Sequence, residues 1–295
     1  MYKIIEKTKI WFSFSIIVIL IGIGFMVAKG LEMGIDFTGG AVVQINMDKT
    51  FNKAEVETII KKYAPDETSN VLDNTILEIK SGKLTATDSN KLFAELKEKY
   101  SLKDSGPISE NNIGASLGNQ IRNNAIIAVL IANALILIYV GVRFELKFGI
   151  AAIIALIHDV LITLSVYAIF RIPLDSAFIA AILTILGYSM SDTIVVFDRI
   201  RENQKFMRSA SINELANASI TQTFRRSIFT VLTVVITLAS VYIFVPDIRN
   251  FSKPLLIGII SGCYSSIFIA TPVWVVLKNF SNKRSATKKL AAKKA

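Results

Sequence analysis

The chain has 295 residues, 52% of them hydrophobic, and a formal net charge of +10, with a mean hydropathy of +0.51. That is too apolar for an ordinary soluble domain and points to several membrane spans. The basic excess then reads as a positive-inside bias rather than a nucleic-acid surface. One cysteine (Cys263) and one histidine (His158) exclude an internal disulfide framework and a metal cluster built from Cys or His.

In chain order, six windows are each long and apolar enough to cross a bilayer: 10–28, 124–142, 148–170, 177–197, 228–245 and 255–277. The first reads as an uncleaved anchor rather than a signal peptide, because its apolar core is long and no A-x-A site follows. The expected organisation is therefore a cytoplasmic N-terminus and first span at 1–28, a polar domain at 29–123, a five-helix bundle at 124–277 and a basic tail at 278–295. Charge orients it. One side carries Lys3, Lys7, Lys9, Arg143, Lys147, the basic residues from Arg199 to Arg226 and those from Lys278 onward. The short loops of the other side carry only Arg171, Arg249 and Lys253. Both termini are expected in the cytoplasm. The tail lysines Lys288, Lys289, Lys293 and Lys294 are either solvated or held at an anionic lipid surface.

The polar domain reads as β-α-β-β-α-β, a ferredoxin-like α+β unit. Ala41, Val43, Ile45 and Met47 alternate with polar residues as in a half-buried strand. Residues 53–63 place Val56, Ile59 and Ile60 at helical spacing. Residues 71–79 supply strand around a turn at Asp73 and Asn74. A second helix over 87–100 is capped by Thr87 or Asp88 and buries Leu92, Phe93 and Leu96. Residues 105–112 close the sheet. Gly39 and Gly40 are expected to form a structural turn, since the Lys-Ser/Thr ending of a phosphate-binding loop is missing.

The spans hold polar residues that a bilayer makes expensive. A carboxylate in the hydrocarbon region costs about 2.5–3.5 kcal/mol on insertion scales and is usually tied to proton relay, ion passage or substrate contact. His158 and Asp159 lie in the third span. In the fourth, Ala180, Thr184, Tyr188 and Asp192 recur at i, i+4 and share one helix face. Tyr188, Ser189, Ser191 and Thr193 are candidate hydrogen-bonding support for Asp192. In the fifth, Arg226 of TQTFRRS is placed either to snorkel to the cytoplasm or to turn toward Asp192. An arginine and burial act in opposite directions on a carboxyl group, so a carboxylate between them can exchange protons near neutral pH. In the sixth, Gly258, Gly262 and Ser266 make a small-xxx-small packing face, with Ser261 and Ser265 alongside.

Together these motifs resemble the SecF family, a subunit of the SecDF accessory complex of bacterial protein export. The matching segments are GIDFTGG at 34–40, GASLG at 114–118, RFE at 143–145, ALIHDV at 155–160, GYSMSDTIVVFDRIREN at 187–203 and YSSIFIATP at 264–272. The resemblance implies half of an RND-superfamily transporter, with six transmembrane helices and one outer domain. It implies pairing with SecD, work at a SecYEG-type channel on exported unfolded polypeptides, and a place in the bacterial cytoplasmic membrane. Its implied proton relay is Asp192 with Arg226, to which Asp159 and His158 are added from their position in the third span. No cofactor is implied, nor any enzyme activity. The chain departs from the family where Ser191 stands for the usual Asn before that Asp, and where Cys263 stands for a frequent Thr. One charge crossing 100 mV releases about 2.3 kcal/mol, enough for a modest conformational step. An exporter of lipids or small molecules, and a scaffold of the export channel without transport of its own, are the alternative readings.

Overall fold

The computed structural model describes residues 1–72, 74–104, 106–113 and 115–294, and their side chains except those of 111–113, 115–117, 247 and 283–294. Asp73 of the expected turn, Ser105 at the start of the expected last strand, Gly114 of GASLG and the side chains of the tail lysines Lys288, Lys289, Lys293 and Lys294 lie outside the described residues.

Six helical segments are long and apolar enough to span a membrane: Ile5–Lys29, Gly118–Arg143, Leu146–Phe170, Ser176–Phe206, Ile212–Phe244 and Arg249–Asn282. Their helices are α1 (Thr8–Lys29), α5 (Ala115–Arg143), α6 (Leu146–Phe170), α7 (Ser176–Phe206), α8 (Ile212–Phe244) and α9 (Arg249–Ser265), which runs through a π turn at Ser266–Ala270 into α10 (Thr271–Lys294). The helices follow the apolar windows but run past several of them: α5 begins at Ala115 rather than 124 and α9 at Arg249 rather than 255. α7 continues beyond 197 to Phe206, and α8 starts at Ile212 rather than 228, so the segment read as a basic loop is a helical hairpin. A capping box between Ser211 and Glu214 starts α8. Asn203 of α7 donates to Ser219 Oγ (2.9 Å) and Gln222 Oε1 (2.8 Å), which binds the two extensions together.

Between α1 and α5 lies the outer domain: a short α2 (Ile35–Thr38), β1 (Gly40–Asn46), α3 (Lys53–Tyr63), β2 (Thr68–Leu72), β3 (Ile76–Ser81), α4 (Ala86–Tyr100) and β4 (Ser109–Ile113). The sheet order is β2-β3-β1-β4, every pair antiparallel, the order of a ferredoxin-like β-α-β-β-α-β unit. Alternation along β1 buries Ala41, Val43 and Ile45 against Val56 and Ile60 of α3 and Leu92 and Leu96 of α4. The α4 cap is Thr85, whose hydroxyl accepts from Asp88 N, and not Thr87 or Asp88. Gly39 (φ +80°) and Gly40 (φ +146°) turn the chain into β1 with backbone angles that L side chains avoid. The turn is structural.

The membrane core is a second cluster, in which α6, α7 and α9 pack against one another. Ile182, Ile185 and Leu186 of α7, Ala151, Ala152 and Ala155 of α6, and Leu255 and Ile259 of α9 are buried there. A side chain on Gly258 would overlap Ile185, and a Cβ on Gly262 would lie 3.0 Å from Ser189 Cβ. The small residues of α9 thus let α7 approach closely.

Candidate functional site

Two carboxylates inside the bundle have different surroundings. Asp159 of α6 is fully buried. Its Oδ2 accepts from Ser189 Oγ of α7 (2.6 Å) and Ser265 Oγ of α9 (2.7 Å), and its Oδ1 accepts from Ser261 Oγ of α9 (2.7 Å). His158 Nδ1 lies 3.1 Å from the same Oδ1. Four groups on three helices fill the lone-pair directions of the carboxylate. The polar chain continues outward. His158 Nε2 lies 2.9 Å from Ser15 Oγ of α1, and Tyr264 OH donates to the Trp11 carbonyl at 2.8 Å. Ser15, His158, Ser261 and Tyr264 line a cavity of about 280 Å³.

Asp192, three residues after Ser189 on the adjoining side of α7, is half-buried. Ser227 Oγ of α8 donates to its Oδ1 at 2.6 Å. Its Oδ2 is shielded from solvent and has no hydrogen-bond partner among the described residues. That oxygen belongs to a side chain lining a cavity of about 130 Å³ together with Tyr188, Ser189, Ser191, Arg226, Thr230 and Cys263. Asp192 and Arg226 face one cavity, but among the described residues no ion pair joins them within 4.0 Å.

The hydrogen-bonding support expected around Asp192 is redistributed. Ser189 turns to Asp159, because α9 approaches on that side of α7. Thr193 pairs with Ser266 Oγ at 2.8 Å and buries that contact. Tyr188 is 48% exposed and Ser191 is exposed, and among the described residues the hydrogen bond to Asp192 comes from Ser227. Ser227 takes the role instead; it follows Arg226 in the motif, and its spacing one residue on puts its hydroxyl toward α7. Ser261 and Ser265, read only as companions of a packing stripe, are two of the four groups at Asp159. Their i, i+4 spacing was the available signal. Ser15 and Tyr264 were not singled out, although Tyr264 opens the quoted YSSIFIATP segment. RIREN and RFE meet at the end of the bundle away from the outer domain: Arg201 donates to the Arg143 carbonyl (3.2 Å) and lies over the Phe144 ring (4.9 Å), while Lys278 pairs with Glu145 (2.8 Å).

The outer end of α7 is tied to the segment leading into the outer domain. Asp36 Oδ2 accepts from Ser176 N (2.8 Å) and Ser176 Oγ (2.6 Å). Gly34 N donates to Leu174 O (2.6 Å) and Leu174 N to Glu32 O (2.8 Å). Arg171 donates to the Lys29 and Gly30 carbonyls and pairs with Glu32 at 2.7 Å. A Cβ on Gly118 would lie 2.8 Å from Phe37 O, so α5 also packs on this joint. Asp175 caps α7 by accepting from Phe178 N, and burial pushes its carboxyl above the ordinary value.

A six-span bundle with buried carboxylates and one small α+β domain after the first helix defines a polytopic membrane protein of the transporter-like class. Residues 93–280 match the family model for the C-terminal region of protein export membrane proteins SecD/SecF, and residues 24–50 match the SecD/SecF GG motif. The chain belongs to the SecD/SecF family. It is 36% identical over 293 residues to the protein translocase subunit SecF of Sebaldella termitidis, covering 94% of this chain and 92% of that one. It is 37% identical to the protein translocase subunit SecDF of Bacillus subtilis, covering 95% of this chain but 39% of that longer one. The crystal structure of SecDF from Thermus thermophilus, described as a translocon-associated membrane protein, superposes with a TM-score of 0.80 at 31% identity. The match covers 94% of this chain and 39% of that chain.

Proposed function

We propose that this protein is a SecF-type subunit that pairs with a SecD partner and uses the proton-motive force to assist polypeptide translocation at a SecYEG-type channel. In this reading it lies in the bacterial cytoplasmic membrane with both termini inside. The observation that carries the reading is the state of Asp192. One oxygen is held by Ser227, the other has no partner, and a cavity separates the group from Arg226. A carboxylate so placed has room to take a proton and to exchange Ser227 for Arg226. Asp159 has no such freedom, since all its acceptor directions are filled. Asp192 and Arg226 are the moving parts of the relay, and Asp159 with His158 is a fixed polar pivot between α6, α7 and α9.

Pairing with SecD is supported by the face on which Asp192 sits. Ala180 and Tyr188 of its i, i+4 stripe, and the adjacent Ser191, are exposed in the single chain. Facing lipid, the carboxylate would cost about 2.5–3.5 kcal/mol, so a second set of helices has to cover it. The longer SecDF relatives carry the additional chain length that could supply such helices.

The test is proton-dependent export in cells carrying Asp192→Asn. Export is expected to fall to the level of a strain lacking the subunit, with the protein at normal abundance. Normal export with Asp192 and Asp159 both neutralised would replace this reading with that of a scaffold.

A further inference from the structure

We propose that Asp36 is a positioning residue that couples α7, and hence Asp192, to the outer domain. The inference rests on the proton reading for what moves α7, but the joint itself stands on contacts. α7 is a single helix of 31 residues. Asp192 lies 16 residues after Ser176 on it, about 24 Å along the axis at 1.5 Å per residue. A helix of this length transmits translation and rotation from one end to the other. At its outer end the first amide and first hydroxyl both donate to one oxygen of Asp36. Asp36 lies in α2, and only Phe37, Thr38 and Gly39 separate it from β1, a central strand of the outer sheet.

The attachment has two parts with different stiffness. Gly34, Leu174 and Glu32 form a short backbone ladder, and Arg171 clamps it to the end of α1. That part holds the loop before α7 to the stretch before α2. It does not grip α7 itself. Asp36 does so from outside the helix, alongside the helix's own cap at Asp175. Both carboxylates sit at the helix N-terminus, where negative charge is favoured. Asp36 also lines a cavity of about 660 Å³ beneath the outer domain, with Asp175, Asn250 and Lys253. The joint is therefore a charged, hydrogen-bonded contact at the edge of a large opening. A displacement of α7 reaches β1 through Asp36.

The experiment uses the full chain in complex with its SecD partner, reconstituted in lipid nanodiscs, in a Cys263→Ser background. Spin labels are placed on Lys61→Cys in α3 and Lys205→Cys at the cytoplasmic end of α7. The distance between them is measured with Asp192 intact and with Asp192→Asn, which mimics the neutral carboxyl. The distance distribution is expected to shift by a few ångströms between the two, and the shift is expected to vanish in Asp36→Ala. Asp36→Asn, which keeps an acceptor for Ser176, is expected to retain it, and Ser176→Ala to weaken it. Export is expected to fall at least about tenfold in Asp36→Ala at unchanged abundance. The same shift in Asp36→Ala, or no shift with Asp36 intact, overturns the proposal. Normal export with Asp192→Asn together with lost export in Asp36→Ala removes the proton reading and leaves the joint standing.

Discussion

Asp159 and Asp192 carry the same side chain in the same bundle, and their neighbours give them different tasks. Replacing Asp159 with Ala leaves Ser189, Ser261, Ser265 and His158 facing a hole in an apolar core. The expected loss is more than about 2 kcal/mol, because buried donors lose their acceptor. It is read as a lower unfolding temperature in detergent. Asp192→Asn keeps an acceptor for Ser227 and is expected to change stability by less than about 1 kcal/mol, so its effect on export is not a folding effect. Asp175 offers a pH test. Burial raises its pKa, so the folded protein holds that proton more tightly than the unfolded chain. Its contribution to stability is then largest in acid and is lost as pH climbs from the ordinary carboxylate value through the raised one. Asp175→Ala is expected to cost about 1 kcal/mol through the lost cap, and Asp175→Asn less, with a flatter pH profile in that range. The importance of Asp192 was legible from one carboxylate in an apolar run. Its partners were not. Ser189 lies three residues before it and shares its side of the helix, and only the packing of α6 beside α7 decides that Ser189 meets Asp159 instead.

At the scale of elements, the period of the apolar residues was enough. The helix expected over 53–63 is α3, Lys53–Tyr63, and the alternation from Ala41 to Met47 is the buried face of β1. The ends of α7 and α8 were missed because hydropathy reports the bilayer, not the helix. Beyond the apolar window both helices continue on hydrogen bonds between Asn203, Ser219 and Gln222 and on the Ser211 cap. The Gly258, Gly262 and Ser266 stripe was legible as a packing face, but the helix facing it was not. Gly258→Val would drive its side chain into Ile185. It is expected to destabilise by about 1–3 kcal/mol, seen as a lower unfolding temperature. Ala at the same position is expected to cost less, since only one methyl group must be accommodated.

At the scale of the whole molecule, the exposed stripe of α7 predicts which face a SecD partner covers. In a Cys263→Ser background, Ser191→Cys is expected to react readily with a small thiol reagent when the chain is alone in detergent. In the complex with SecD it is expected to be protected at least about tenfold, since a covered interface excludes solvent. Equal reactivity in both would place the partner on another face. The class of the molecule needed no coordinates: hydropathy, charge bias and alternation reflect solvent and periodicity, which act locally along the chain. That six spans, a β-α-β-β-α-β domain and a costly carboxylate belong together was therefore written in the sequence. Only the tertiary structure decided that Ser261 and Ser265 serve Asp159, that Ser227 rather than Ser189 holds Asp192, and that Asp36 reaches Ser176 across 140 residues. Those contacts join helices whose order in the chain carries no information about which faces will meet; that is fixed only when the close approach of small residues sets the distances between them.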